Sequence, residues 1–327
     1  MPAAKADTAS AAAKLIQRQQ TADGAITMAL VGSGESTVNP YFGCFAAEGL
    51  LAQYRSTRDT SLLRSALTWV DWYAAHQNPN GTIFDYKGHA GAWRSTADYD
   101  SSDSYAAVYL SLLRDLYRAS RDAVWLGEKH ASIRRALAAI RLTIQPNGMT
   151  LAKPTYPVMY VMDNTETLRG LRSAHELAVA LGDGTEKRRT QAEADRMESA
   201  IDSLLWDPSV PSYFIGIQTD GGKSGGLKDW YPDIMANLMA IAWLPPSARN
   251  RALFDRVFGQ FGASIPTQVK SQDDLEKLIW WAYAAQTVRR PDLLARIRIT
   301  LSTFQRICGK GCDAGDLGHV VRLTSAL

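Results

Sequence analysis

The 327-residue chain reads as an all-α protein, an (α/α)6 toroid of twelve helices with short β tongues between helix pairs. Two observations predict this. First, one kind of helix opening recurs six times: Asn39-Pro40-Tyr41, Ser101-Ser102-Asp103-Ser104-Tyr105, Asp163-Asn164-Thr165-Glu166, Trp230-Tyr231-Pro232-Asp233, Ser271-Gln272-Asp273-Asp274 and Asp313-Ala314-Gly315-Asp316. Each offers an N-cap or first-turn residue, and they stand roughly 40 to 70 residues apart, the range of helix-pair repeats. Second, the helices alternate in character. Those that follow the openings are poor in charge and rich in Ala, Gly, Leu and aromatics, whereas the intervening ones carry charge along one face.

In chain order, residues 8–20 form an Ala-rich helix ending near Gly24. Residues 40–56 form a second, with Phe42, Phe45, Ala46, Gly49 and Leu50 and little charge beyond Glu48. Residues 60–77 form an amphipathic third, broken by Gln77-Asn78-Pro79-Asn80-Gly81. Further helices are expected at 102–119, 122–143, 164–181, 185–206, 232–243, 247–261, 272–286, 290–306 and 314–326. Extended tongues are expected at 25–28, 82–86, 149–151 and 213–217, each after a Gly, Pro or Asn break. Small residues on alternate helices allow close packing, and charge on the others marks an outer layer. No linker divides the chain, so residues 1–327 are expected to form one (α/α)6 domain. An open solenoid of helix pairs is the rival architecture, disfavoured by the tongues and the uneven spacing.

Composition excludes several function classes. Thirty-six basic and 33 acidic residues leave a net charge of +3, and the basic residues are scattered over helix faces, so no nucleic-acid partner is expected. No run of about 18 apolar residues exists, so no membrane span is expected. Residues 1–15 contain no apolar signal core; the expected location is periplasmic or secreted in mature form, with cytoplasmic as the alternative. Cys44 sits among apolar residues as a buried thiol. Cys308 and Cys312 flank Gly309-Lys310-Gly311, a turn that lets them pair, as suits an exported protein. A zinc site would need more ligands than His319 supplies, so neither metal nor cofactor is expected.

Closing six helix pairs in a ring gathers six helix N-termini around one mouth, and polar residues concentrate before those helices. The most informative segment holds Asp98, Tyr99, Asp100 and Asp103 within six residues, followed by Tyr105 and preceded by Trp93 and Arg94. A helix start needs one cap, and crowded carboxylates repel, so three aspartates point to chemistry. Glycoside cleavage needs two carboxyl groups across a sugar ring, and crowding helps to keep one of them protonated. Glu35, after Gly32-Ser33-Gly34, is the candidate acid, with Asp103 or Asp100 as base. Candidate sugar-binding residues are Tyr41, Asp85, Trp93, Asp98, Tyr99, Tyr105, Asp163, Asn164, Glu166, Trp230, Tyr231 and Asp233. Asp163 and Glu166 also fit a plain capping box, and Asp233 fits a first-turn carboxylate facing the helix dipole. The last two openings, at Asp273 and Asp313, read as plain caps.

The run from Asp98 to Tyr109, with Asp163-Asn164-Thr165-Glu166 and Trp230-Tyr231-Pro232-Asp233 downstream, resembles the six-hairpin glycosidase-like superfamily. It is loosely similar to the aspartate-rich helix start of family 8 glycoside hydrolases, whose bacterial members include the cellulase of cellulose-secretion operons. The resemblance implies an inverting glycosidase in which a glutamate near the first inner helix is the acid, by position Glu35. Later aspartates, by position Asp98, Asp100 or Asp103, bind the central sugar or activate water. The expected function is therefore an endo-acting glycoside hydrolase of a bacterial polysaccharide, an exopolysaccharide or cellulose-like glucan. A polysaccharide lyase or unsaturated-uronyl hydrolase on the same fold is the rival; it needs positive charge near a uronate, for which Arg94 and Lys228 are the candidates. A non-catalytic polysaccharide-binding protein of an exopolysaccharide secretion machinery would keep the aromatics without needing paired carboxylates. An isoprenoid enzyme would need Mg²⁺ and apolar walls.

Overall fold

The computed structural model describes residues 2–30, 34–308 and 312–325. Six helices form an inner ring: α2 (Pro40–Thr57), α4 (Ser102–Ser120), α7 (Val161–Leu181), α9 (Met235–Trp243), α11 (Gln272–Thr287) and α14 (Ala314–Thr324). Each packs on the next, and α14 returns to pack on α2, closing the ring. Outside it lie α1 (Pro2–Gln19), α3 (Thr60–His76), the pair α5 (Ala123–Glu128) and α6 (His130–Arg141), α8 (Gly184–Leu204), α10 (Ala248–Phe261) and α12 (Pro291–Leu301). Five inner helices are each followed by their outer partner. The last, α14, takes α1 as its partner, so the two ends of the chain complete one hairpin. The short α13 (Gln305–Cys308) ends in a disulfide between Cys308 and Cys312.

The closing seam is made by backbone. Gly49 of α2 faces Gly318 of α14: a Cβ on Gly318 would lie 2.1 Å from the Phe45 carbonyl oxygen, and one on Gly49 would lie 2.6 Å from the Gly318 Cα. The α4–α7 seam is almost as tight, with Gly170 against Ala107. Helices this close need residues without side chains at the crossing, which explains the small residues of the inner helices.

From the middle of α2 and α7 toward the C-terminal end of the inner helices, the ring is plugged by charge. Glu48 of α2, 4% exposed, accepts from Arg169 of α7 at 2.6 Å and from Arg322 of α14. The Arg169 guanidinium lies 4.7 Å from the Trp243 ring of α9, and that of Arg322 lies 5.3 Å from the Tyr283 ring of α11. Arg114 and Asp115 of α4 form a further pair at 2.8 Å. Paired and hydrogen-bonded, these charges tolerate burial; a lone member would not.

The strands are short. β1 (Ser36–Val38), β2 (Tyr86–His89) and β3 (Ala92–Ser95) form one antiparallel sheet; β4 (Val158–Tyr160), β5 (Trp206–Asp207) and β7 (Lys223–Gly225) gather on β6 (Ser212–Gln218). The expected tongues at 25–28 and 149–151 reduce to single bridges, Gln20 with Ile26 and Ile144 with Thr150. The segment expected at 82–86 becomes a strand only at Tyr86, with Asp85 already exchanging backbone hydrogen bonds with Thr96 and Asp98. The helix expected at 122–143 breaks at Lys129 into α5 and α6. The helix expected from 232 begins as one wide turn, Trp230–Ile234, before α9. The helix expected at 164–181 is α7, which starts at Val161, three residues before its expected start.

Substituting Gly318→Ala drives a methyl group into the Phe45 carbonyl. The loss expected is about 1–3 kcal/mol, read as a lowered midpoint in chemical denaturation with an unchanged denaturant slope.

Candidate active site

The six inner-helix N-termini surround a cavity of about 320 Å³. It is built outward from the caps. Asn39 precedes α2, and its Oδ1 accepts from the backbone N–H groups of Tyr41 (3.0 Å) and Phe42 (3.2 Å). Its Nδ2 donates to the Tyr105 hydroxyl at 2.8 Å, which donates to Asp85 Oδ1 at 3.1 Å. One polar chain thus ties the start of α2 to α4 and to the segment before β2. Burial, with the charges of Asp100 and Asp98 nearby, pushes the Asp85 carboxyl up to about 6.

On α4 the cap position is Ser101, and Asp103 lies one residue into the helix with no exposed surface. Its Oδ1 accepts from the Ser104 N–H at 2.9 Å, and the Thr150 and Thr167 hydroxyls flank it. Burial outweighs these donors and pushes Asp103 up to about 7.

Because α7 begins at Val161, Asp163 and Glu166 fall inside its first two turns, and the capping box anticipated for them does not form. Asn164 replaces it as the anchor. Its side chain accepts from the Thr150 N–H (2.8 Å) and donates to the carbonyls of Thr150 (3.0 Å) and Tyr160 (2.9 Å). Both carboxyls are left free to line the cavity. Glu166 accepts from the Tyr41 hydroxyl at 2.7 Å, and burial pushes it up to about 7. Asp163 is held well above the usual carboxylate range by burial and by the charges of Asp103, Glu166 and Asp100.

Across the mouth, Glu276 of α11 and Asp316 of α14 complete the wall. Asp313 caps α14, accepting from the Gly315 N–H at 2.7 Å, and burial pushes it up to about 6. Burial, then the charges of Asp313 and Glu276, holds Asp316 well above the usual range; Gln272 donates a hydrogen bond to it. In a ring of six, α7 and α14 stand three places apart, so Asp163 and Asp316 approach the cavity from opposite sides.

Phe45, Met239, Trp280 and His319 line the cavity more deeply along their helices, toward the ion plug. His319 Nδ1 pairs with the Tyr283 hydroxyl at 2.9 Å, and its ring lies 4.4 Å from that of Phe45. Burial, with Arg322 and Arg169 beyond it, holds His319 well below the ordinary imidazole range, so it is neutral. Tyr41 and Tyr105 stack at 5.8 Å on one wall, and Tyr231, 64% exposed, stands at the lip.

Of the residues singled out from the sequence, Tyr41, Asp100, Tyr105, Asp163, Glu166 and Tyr231 line this cavity, with Asp103 buried and Asp85 half-buried beside it. Others stand elsewhere. Glu35 is exposed beside β1, paired with Arg94 of β3, in a shallow hollow with Met28 and Thr37. The β1–β2–β3 sheet carries it to the outer side, since Ser36 must pair with Gly88. Trp93 donates to Asp23 at 2.9 Å over the outer face of α3. Asp98 is exposed and pairs with Lys153 at 3.1 Å, and Tyr99 stacks on Phe84. Asp233 turns back to accept from the Lys228 N–H at 2.9 Å, Asn164 is the anchor described above, and Trp230 carries Lys277 over its ring.

Sequence reasoning missed Glu276, Asp316, Trp280 and His319. A signal for the acids was present: Asp100/Asp103, Asp163/Glu166, Asp273/Glu276 and Asp313/Asp316 all repeat an acidic pair three residues apart. Where both members lie in or at the cap of a helix, as on α7, α11 and α14, that spacing puts the second one helical turn deeper on the same face. The openings at Asp273 and Asp313 are therefore more than caps.

Neither a family model nor a curated protein sequence matches the chain. Solved structures do. The chain is similar to an uncharacterized conserved protein from Thermus thermophilus (TM-score 0.71, 13% identity, 97% of this chain and 99% of that one). It is similar to the GH63 mannosylglycerate hydrolase of the same organism in complex with glucose (TM-score 0.67, 14% identity, 96% and 98%). It is also similar to an inactive variant of the α-1,6-mannanase GH76A of Salegentibacter in complex with α-1,6-mannotriose (TM-score 0.65, 10% identity, 98% and 98%). At these identities the likeness shows the fold alone, an (α/α)6 toroid. The likeness does not single out family 8.

The clustered acids make stability depend on pH. Asp103 and Glu166 bind protons more tightly folded than unfolded, so between about pH 4 and 7 the folded state holds the extra protons and stability falls as pH rises. Thermal midpoints are expected to drop from pH 5 to pH 7.5, and Asp103→Asn is expected to flatten that slope. A profile that rises over this interval, or is unchanged by the substitution, contradicts the assignment.

Proposed function

We propose that the protein is a glycoside hydrolase that cleaves an O-glycosidic bond by carboxylate acid–base chemistry in the cavity at the mouth of the ring. The observation that carries this reading is the opposed placement of Asp163 on α7 and Asp316 on α14 around one cavity lined by aromatic rings. Asp163 is the general acid, because burial, and then the three carboxylates around it, keep its proton on. Asp316 is the general base by its place across the cavity from Asp163; burial, then the charges of Asp313 and Glu276, raise its carboxyl, and the hydrogen bond from Gln272 opposes that rise. A bond held between them receives a proton on its leaving oxygen from Asp163, while Asp316 takes a proton from water attacking the opposite face of the sugar. The anomeric centre inverts. Tyr41, Tyr105 and Trp280 offer rings for the apolar faces of the sugar. Glu35 has no part in this reaction, since it stands outside the cavity.

The proposed substrate is a bacterial polysaccharide or an oligosaccharide derived from it, an exopolysaccharide being the reading carried forward from the sequence. The cavity volume, about 320 Å³, lies at the small end of ligand pockets, which favours taking a chain end over the middle of a long strand. We place the protein outside the cytoplasm, periplasmic or secreted, with the Cys308–Cys312 disulfide as support. That setting suits a partner role beside an exopolysaccharide secretion machinery.

Asp163→Asn and Asp316→Asn are each expected to lower kcat on a cleaved glycan by roughly 100- to 10,000-fold with little change in binding. Glu35→Gln is expected to leave it unchanged. Release of reducing ends measures this. Full turnover by either of the first two variants overturns the assignment.

A further inference from the structure

Five carboxyl groups line the cavity: Asp100, Asp163, Glu166, Glu276 and Asp316. Asp103 and Asp313 stand directly behind them. Glycoside cleavage uses two. Among the described lining residues there is no lysine or arginine. Arg169 and Arg322 are paired with Glu48 and Lys277 with Asp273; the charges of Arg169 and Lys277 reach Glu166 and Glu276 without lining the cavity. Burial first, and then the charges of neighbouring acids, make Asp163 and Asp316 retain their protons, so crowding adds to the cost the fold carries here. The acids are spread around the wall on α4, α7, α11 and α14. Among the described residues no three of them converge closely enough to hold a metal ion.

His319 supplies an independent sign of a polar ligand. It is 4% exposed and lines the cavity. Its Nδ1 is engaged by Tyr283, and among the described residues no side chain or backbone group hydrogen-bonds its Nε2. A nearly buried imidazole with one nitrogen open toward a cavity is matched by a ligand hydroxyl. Being neutral, His319 adds no positive charge that would repel a cation.

We propose that the sugar taken by this site carries a free amine, so that the substrate class is a de-N-acetylated, cationic glycan. This rests on the glycosidase reading for its chemistry. The ammonium sits among the carboxyls of Asp100, Glu166 and Glu276, whose negative charge it offsets. The faces of Tyr41, Tyr105 and Trp280 add attraction for the cation. A sugar hydroxyl fills the open nitrogen of His319. An N-acetylated or unsubstituted sugar forgoes the ion pairing, and a uronate is repelled outright.

Calorimetric titration of the full chain with matched hexasaccharides tests this at pH 7 and low salt. The probes are glucosamine and galactosamine oligomers with their N-acetylated and unsubstituted counterparts. At least one amine-bearing oligomer is expected to bind tenfold or more tightly than its neutral counterparts. The advantage is expected to shrink severalfold in 0.5 M NaCl and in Glu276→Gln, with Asp100→Asn as a second variant should the first fail to fold. Equal or tighter binding by the neutral counterparts, or no binding by any amine-bearing oligomer, overturns the proposal. Incubating each bound oligomer with the enzyme reads the glycosidase claim separately. Binding without cleavage sinks that claim alone, and cleavage of neutral oligomers alone sinks the amine.

Discussion

The structure depends on closing the inner ring at backbone contact. With Gly49 and Gly318 face to face, α2 and α14 meet closely enough for the sixth inner helix to return to the first. Closure has two consequences. It turns six separate helix starts into one mouth, and it forces residues far apart in sequence, such as Asp163 and Asp316, to share a cavity. An open stack of the same hairpins would hold each acid beside its own neighbours alone.

Closure also concentrates charge, and the ring handles its two ends differently. At the N-terminal end the helix dipoles favour negative charge, and acids accumulate beyond what the dipoles can satisfy. Toward the other end Glu48 accepts from two arginines whose guanidinium groups lie over Trp243 and Tyr283. This lower cluster joins α2, α7, α9, α11 and α14 and closes the axis. The cavity is consequently a blind pocket, and the neutral His319 separates its acidic wall from the cations below.

Much of the fold was legible because helix periodicity, cap residues and alternating charge are local signals. Asn39, Ser271 and Asp313 cap the helices they were read to open. The site was legible only in part, for reasons that lie in packing. Glu35 follows a glycine turn and looks free to approach a ligand, but strand pairing between β1 and β2, invisible in three residues, carries it to the outer sheet. Trp93 reads as a sugar platform until Asp23, seventy residues away, takes its N–H. Glu276 and Asp316 were hidden because one cap explains a helix start well enough; the second acid one turn on acquires meaning only when the ring brings α11 and α14 opposite α4 and α7. Asp103 was found by crowding, yet its burial behind the wall could not be read from the chain.

The most direct test is a crystal structure of the Asp163→Asn variant soaked with an oligosaccharide that it binds. The account predicts a sugar ring in the cavity between residues 163 and 316, with those two side chains about 6.5 to 9.5 Å apart across the glycosidic bond and a ring hydroxyl on His319 Nε2. A glycan bound instead on the β1–β2–β3 sheet beside Glu35, or a cavity from which every oligosaccharide is excluded, contradicts it.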